Sequence, residues 1–384
     1  MNPFAECDVI TRIFTRGEPE VMRLQRKTVA ILLAAGIAVV GLAAGCSKKD
    51  VNQEVVATAN GEDIKVLDLR EILGSPAGVF AVTNVPAEKK KEALDRLVAG
   101  RLLAQEARSR GLDNTPEFKE ILRQNEQGAL ISAFFRKEIE AKVKLDDDKE
   151  VKAEAAKLKE AKTAASDADA LAQATKTVAE ARIRKLQEDL VAAAKKETGA
   201  TVDQATIDRI GKGESLPDNA VLGTAGDEKV LYGDVKKVLQ GFAQGQGPQG
   251  AQDLMKNPAA IANVVNRELV GKALAAYAKK QGIASSDGYK VARQDLERNI
   301  LIARLADNVS AKAAPVTDQE IDAVYKEHEK EMVQNGKKIP LSAVKEQIRA
   351  FLQNDKRRKA LDALIAELKT KAKITVNDAV LAKV

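Results

Sequence analysis

The chain has 384 residues, 45% of them hydrophobic but only 3% aromatic and none tryptophan, so it is long enough for two or three domains whose core must be aliphatic. The net charge is +6 with both signs interspersed, which leaves no basic patch of the kind that binds nucleic acid. With two cysteines and one histidine, a disulfide scaffold and a histidine-based metal or nucleophile site are both disfavoured.

The first element is an export signal. Two Arg and one Lys in Met22–Lys27 precede the uncharged run Thr28–Ser47, which closes on Ala43, Ala44 and Gly45 before Cys46. That order of charged, apolar and small residues is the layout of a secretory signal peptide. The alternative is an uncleaved anchor, because the run can span a bilayer. Either way the basic cluster stays inside and the remaining chain lies outside the cytoplasm. Leu42-Ala43-Ala44-Gly45-Cys46 resembles a bacterial lipobox, with Ala43 where Leu is usual, and this implies cleavage before Cys46 and lipid on its thiol. A start at Met22 rather than Met1 would account for the residues ahead of the signal. Residues 1–45 are therefore read as leader and signal, which takes Cys7 with it, and 46–54 as a polar tether.

The segment VVATANGEDIKVLDLREIL from Val55 reads as a β-hairpin turning at Asn60-Gly61 in a type I′ turn, followed by a helix from about Val66. VLGTAGDEKVLYGDVKKVL from Val221 aligns with it without a gap, matching Thr58 to Thr224, Glu62 to Glu228 and Asp68 to Asp234. Leu94–Leu112 aligns in turn with Val265–Ile283, sharing Gly100/Gly271, Leu103/Leu274 and Gly111/Gly282. Leu94, Leu97, Val98 and Leu102 lie on one helical face, and Gly111 and Gly282 sit where a left-handed residue ends a helix. A third helix is predicted in each copy, Pro116 to about Lys142 with Thr115 as N-cap, and Gly288 to about Val309. The loop GFAQGQGPQGAQDLMKNP separates the first two helices of the second copy.

Between the copies, Lys144–Lys196 is rich in Ala, Lys and Glu and is predicted to form extended helices packed on each other, with a turn near Ala164–Asp169. Thr317 and Glu320 make a capping box, a last helix runs from Ser342 to about Lys371, and Ile374-Thr375-Val376 has strand propensity.

A signal, an ATANGE hairpin, LDRLVAGRLLAQEARSRGLD, a third helix, VTDQEIDAVYKEHEKEM and SAVKEQIRAFLQNDKRRKALDALIAELKTKAKITV, in that order, resemble the SurA/PrsA/PpiD group of extracytoplasmic chaperones, with lipoproteins of the PrsA and EpsD types nearest in layout. The resemblance covers most of the chain after the signal except 144–214. It implies that the C-terminal strand, Lys373–Val376, pairs beside Val55–Ala59. The group's parvulin prolyl isomerase domain would lie between Val333 and Leu341, where nine residues stand against a minimum of about 50 for a domain.

The expected fold is mainly α, with SurA N-terminal-like helical modules, each carrying a small β-hairpin, duplicated in tandem and joined by a long helical segment. The copies are 55–143 and 215–332, the linker or arm is 144–214, and 333–384 completes a module. The expected function is that of a membrane-anchored periplasmic chaperone for unfolded or nascent exported proteins, held to the bilayer through acylated Cys46, with no catalytic, cofactor or metal residues and no nucleic-acid partner. Two alternatives stand beside it: an isomerase whose site is not visible, and an adaptor lipoprotein for polysaccharide or surface-protein export. Ser47 in place of Asp resembles lipoproteins sent to the outer membrane. His328 reads as a solvated helix residue and Asp146–Asp148 as an acidic helix start. Phe134 and Phe135, adjacent on one helix, cannot both enter one core, which makes one of them a candidate wall for a client groove.

Overall fold

The computed structural model describes residues 50–384 apart from 81, 83–84, 146–147, 244–252 and 335–336. The signal segment, Cys46, Asp146, Asp147 and most of the Gly/Gln-rich loop lie outside the described residues. The described chain is mainly helical with small antiparallel sheets. It divides into two compact units, a larger one of 50–305 with 371–384 and a smaller one of 306–370.

Strands β1 (Val55–Ala59) and β2 (Glu62–Lys65) form the first hairpin. Positive φ at both Asn60 (50°) and Gly61 (86°) is what a type I′ turn demands. Helix α1 (Val66–Ile72) follows at once. The α2 helix (Ala87–Ser109) buries Leu94, Val98 and Leu102 and stops at Gly111, whose φ of 71° is the left-handed conformation that favours glycine. Helix α3 (Pro116–Lys142) opens with Thr115 Oγ1 accepting the Phe118 N–H at 3.2 Å. In the linking segment, α4 (Lys149–Glu160) and α5 (Asp167–Glu197) pack on each other through Val151, Ala155, Ala170, Ala174 and Val178. The second half of α5 does something else: Ile183, Leu186, Leu190 and Ala194 enter the main core. Strand β3 (Thr201–Val202) and α6 (Gln204–Gly211) come next. The second hairpin, β4 (Val221–Ala225) and β5 (Glu228–Leu231), leads into α7 (Tyr232–Ala243), α8 (Pro258–Lys280) and α9 (Asp287–Ala311). Gly282 ends the α8 turn at φ 72°.

The smaller unit holds α10 (Asp318–Glu327), the two-residue strands β6 (Val333–Gln334) and β7 (Lys337–Lys338), and most of α11 (Leu341–Lys371). The short stretch from Val333 to Leu341 thus carries a paired two-strand ladder, packed with Ile321, Tyr325, Met332, Ile339, Val344 and Ile348. Tyr325 donates its buried hydroxyl proton to the Ile339 carbonyl at 2.6 Å. The chain then re-enters the larger unit as β8 (Ile374–Val376) and the single-turn α12 (Asp378–Leu381).

The sheet order β2-β1-β8 puts the C-terminal strand on the N-terminal hairpin, with Ala57, Thr58 and Ala59 opposite Val376, Thr375 and Ile374. The second sheet, β3-β4-β5, has the same layout, its third strand coming from just upstream instead of from the far end of the chain. Both hairpins slip register at equivalent places, Val55/Ala57 and Val221/Gly223. The Val66 N–H donates to Glu54 O at 2.9 Å and the Tyr232 N–H to Ala220 O at 2.8 Å; the Asn377 N–H donates to Val56 O and the Asp203 N–H to Leu222 O, both at 2.9 Å. Thr58 shares a hydroxyl hydrogen bond with Thr375 at 2.6 Å, and Thr224 one with Thr201 at 3.0 Å. Thr201-Val202-Asp203 and Thr375-Val376-Asn377 therefore do the same job, Asp203 and Asn377 each capping the helix that follows. The residues 201–211, read from the sequence as linker, complete the second sheet and its core.

The third helices are exchanged. Helix α3 lies on α8, where a Cβ on Gly271 would meet Gln127 Nε2 at 3.4 Å, and it feeds Leu130, Ala133, Phe134 and Ile139 into the core of the second hairpin. Helix α9 turns to the first copy's elements: a Cβ on Gly100 would meet Ile302 Cδ1 at 3.7 Å, and Arg293 Nε reaches Glu126 Oε1 on α3 at 3.1 Å. The aligned pair Gly100/Gly271 marks both crossings. The segments 55–143 and 215–305 are in this way interleaved in the larger unit, whereas 306–332, expected as the end of the second copy, lies in the smaller one.

Phe134, 1% exposed, meets Tyr277 edge-on with ring centroids 5.6 Å apart, so Phe134→Ala should cost about 3–5 kcal/mol in urea denaturation. Gly282→Ala has open space for the new methyl and should cost about 1–2 kcal/mol by backbone strain alone. In the smaller unit, the Thr317 backbone N–H and the Lys356 ammonium hold the Glu320 carboxyl down to about 2. A depressed carboxyl stabilises the fold fully above the ordinary carboxylate range and loses that contribution as pH falls toward 2. The protection of α10 amides, measured as exchange relative to an unstructured amide at the same pH, should accordingly fall on acidification, and Glu320→Gln should flatten that response.

Candidate functional site

A cleft of about 820 Å³ opens in the larger unit between β2–α1, the second halves of α2 and α3, and the first three turns of α9. Its existence follows from how unequally the exchanged helices pack. The α3 helix is buried along its length, from Phe118 and Leu122 through Leu130 and Phe134 to Ile139, whereas α9 buries only Ile300, Leu301 and Leu305, all beyond the cleft. Its first turns carry Asp287, Val291, Asp295 and Arg298, whose charges resist full burial against α2.

The wall is built from ion pairs. Arg101, 6% exposed, places Nη2 3.2 Å from Asp68 Oδ2, and the same carboxylate oxygen accepts the Lys65 N–H at 2.9 Å. Burial, and then the like charge of Arg298, lower the Arg101 guanidinium from its ordinary value, while Asp68, Asp295 and Glu62 oppose the shift. Arg298 is itself held by Asp295 at 2.7 Å. Arg136 pairs with Glu71 at 2.9 Å, and burial raises the Glu71 carboxyl against the pull of that guanidinium. Arg108 and Glu62 approach to 3.7 Å at the rim. Leu67, Ala133 and the 44% exposed Val291 supply apolar surface between these pairs. Such a lining suits an extended polypeptide, with apolar contact on the floor and exchangeable hydrogen bonds and charges along both sides. No acid–base pair is directed at a nucleophile in it.

The residues singled out in the sequence lie elsewhere. Phe134 is core, and the half-buried Phe135 packs against the same cluster with its ring centroid 6.2 Å from that of Phe134. The expectation that one of them would be excluded from that core is therefore corrected: α3 is flanked by α5 and α8, so apolar surface spans more than one helical face. His328, expected as a solvated helix residue, is the half-buried C-cap of α10, with Nδ1 3.8 Å from Glu331. Asp148 caps α4 and binds Arg182 at 2.7 Å. Cys46 lies outside the described residues. The cleft itself went unread, although Arg101 in the apolar stripe of Leu94, Val98 and Leu102 was a usable signal, because a cation on a buried helical face needs a partner.

No protein-family model, no curated protein and no solved structure matches this chain.

Asp68→Ala should destabilise the larger unit by about 3 kcal/mol, since it strands a buried guanidinium and a backbone N–H together. The double variant Asp68→Ala/Arg101→Met should recover most of that loss, and equilibrium denaturation of the three proteins reads the difference.

Proposed function

We propose that this protein is a lipid-anchored chaperone acting outside the cytoplasm, which holds unfolded exported polypeptides without isomerase chemistry, and that it is related to the SurA/PrsA group. The observation that carries the reading is the pairing of β8 with β1, a module assembled from both ends of the chain as the resemblance implied. The matching hydrogen bonds of the two sheets support a second reading within it, two SurA N-terminal-like modules in tandem, the second closed by its own upstream strand β3. The export-type signal and lipobox at Cys46 support the placement.

The cleft fits the task physically. Apolar burial is non-directional and tolerates many sequences, and charges already paired in the wall can switch to a client without leaving a buried ion alone. Holding of this kind is weak per contact, which suits a client that must be released to fold.

The chain from residue 46 onward should suppress aggregation of a denatured exported client near equimolar ratio, and should leave the rate of a proline-limited refolding reaction unchanged. Val291→Glu should weaken the suppression several-fold while unfolding stability stays the same. If the client aggregates equally with and without the protein, the chaperone reading fails and an adaptor role replaces it. Catalysis of the refolding reaction would instead establish an isomerase.

A further inference from the structure

The ion pairs of the cleft are not equivalent. Arg101, Arg108 and Arg298 each face a carboxylate that also lines the cleft, respectively Asp68, Glu62 and Asp295, so an incoming polypeptide meets these pairs already neutralised. Asp287 and Glu297 are likewise held by cations of their own helix, Lys290 at 2.8 Å and Arg293 at 2.7 Å. Arg136 differs. It lines the cleft, but its partner Glu71, 2.9 Å away, lies outside the lining. The remaining lining charges, Lys65, Lys137, Asp63 and Glu140, cancel one another. Among the described residues, the Arg136 guanidinium is therefore the lining arginine that can exchange its partner for a client group without first displacing a charge from the cleft itself.

Glu71 is placed to lose its charge when that exchange happens. Its carboxylate accepts the Ala77 N–H as well as the guanidinium, and the other charges that face it are two acids, Asp68 from its own helix and Asp295 from α9. Burial already raises this carboxyl from its ordinary value against the pull of Arg136. With the guanidinium withdrawn, burial and two like charges are opposed by the Ala77 N–H alone, and a proton from solvent removes the stranded anion. We infer that Arg136 is where the cleft takes a carboxylate of its client, and that Glu71, left behind, is protonated in the same step. The inference rests on the reading of the cleft as the client site. It adds a preference for extended segments that carry Asp or Glu, because a guanidinium–carboxylate pair is directional and stronger than a pair with a neutral amide. It also adds a dependence on pH. Binding takes up a proton, so affinity rises as pH falls toward the ordinary carboxylate range, where the client's own carboxyl begins to titrate. Glu140, one turn along α3, feels the same guanidinium and is the internal rival for it.

Two peptides of alternating leucine and serine with blocked termini, one carrying a central glutamate and the other glutamine, are titrated calorimetrically into the chain from residue 46 onward. Repeating the titration in buffers of different ionisation enthalpy reads the protons taken up. The glutamate peptide should bind about tenfold tighter than the glutamine peptide and should draw a proton from the buffer on the acid side of neutrality. Glu71→Gln keeps the shape and an acceptor oxygen. It should abolish the uptake, flatten the pH dependence and leave the affinity for the glutamate peptide equal or higher, whereas loss of a merely structural residue would lower it. Arg136→Gln should bind the two peptides within about twofold of each other. The peptide comparison on the unaltered chain and the Glu71→Gln measurement stand even if Arg136→Gln does not fold. Equal binding of the two peptides, or proton uptake that survives Glu71→Gln, overturns the inference and leaves the client reading in place. Binding of neither peptide overturns it as well, and the aggregation assay then shows separately whether the chaperone reading falls with it.

Discussion

The structure depends on a strand that cannot stand on a hairpin alone. A two-stranded hairpin is marginal in water, and β1 has an edge left to pair after β2 is in place. That edge is taken by β8, more than three hundred residues away, through the ladder from Ala57 to Ala59 and the Thr58–Thr375 hydroxyl contact. Closing so long a loop carries an entropic cost that grows only slowly with length, so the chain can place α4, α5, the whole second hairpin and the smaller unit inside it. Asn60 adds a second tie, its N–H donating to the Lys373 carbonyl and its Oδ1 accepting the Lys373 N–H.

The second hairpin solves the same problem locally with β3, and the difference has consequences. Because β3 comes directly after α5, the end of α5 is fixed against the second sheet, and Ile183, Leu186, Leu190 and Ala194 become core residues. There they meet Leu130 and Phe134 of α3, which has left its own hairpin for this one. The reciprocal helix, α9, finds no equivalent apolar groove and stands off over Arg101, Arg136 and their carboxylate partners. The cleft is therefore the less complete of two related packing sites. It stays open because Asp287, Asp295 and Arg298 stand in the turns of α9 that cross it, before the buried Ile300, Leu301 and Leu305 begin.

Much of the local structure was legible in the sequence. Asn60-Gly61, Thr115-Pro116, Gly111, Gly282 and the Thr317/Glu320 box act within a few residues, through left-handed φ, side-chain capping or a missing N–H, and each appears where the pattern placed it. The matched glycines Gly100 and Gly271 were visible as well, but only as identities. Their meaning, a close crossing by a helix from the other copy, involves residues distant in sequence. Phe134 and Phe135 show the same boundary, since adjacency on a helix says that they point apart and says nothing of how far the core wraps around that helix.

The sequence by itself determined the long helices and their caps, the two longer hairpins, the strand propensity of Ile374–Val376 and the signal-like segment ahead of Cys46, because these follow from interactions between near neighbours or from composition. Tertiary structure alone decided which copy each third helix serves, that Thr201-Val202 closes a sheet in place of belonging to a linker, and that Asp68, Arg101, Asp295 and Arg298 meet in one cleft. Those outcomes turn on which apolar faces find each other and which charges are left between them. Periodicity shows that a face exists, but not what it packs against.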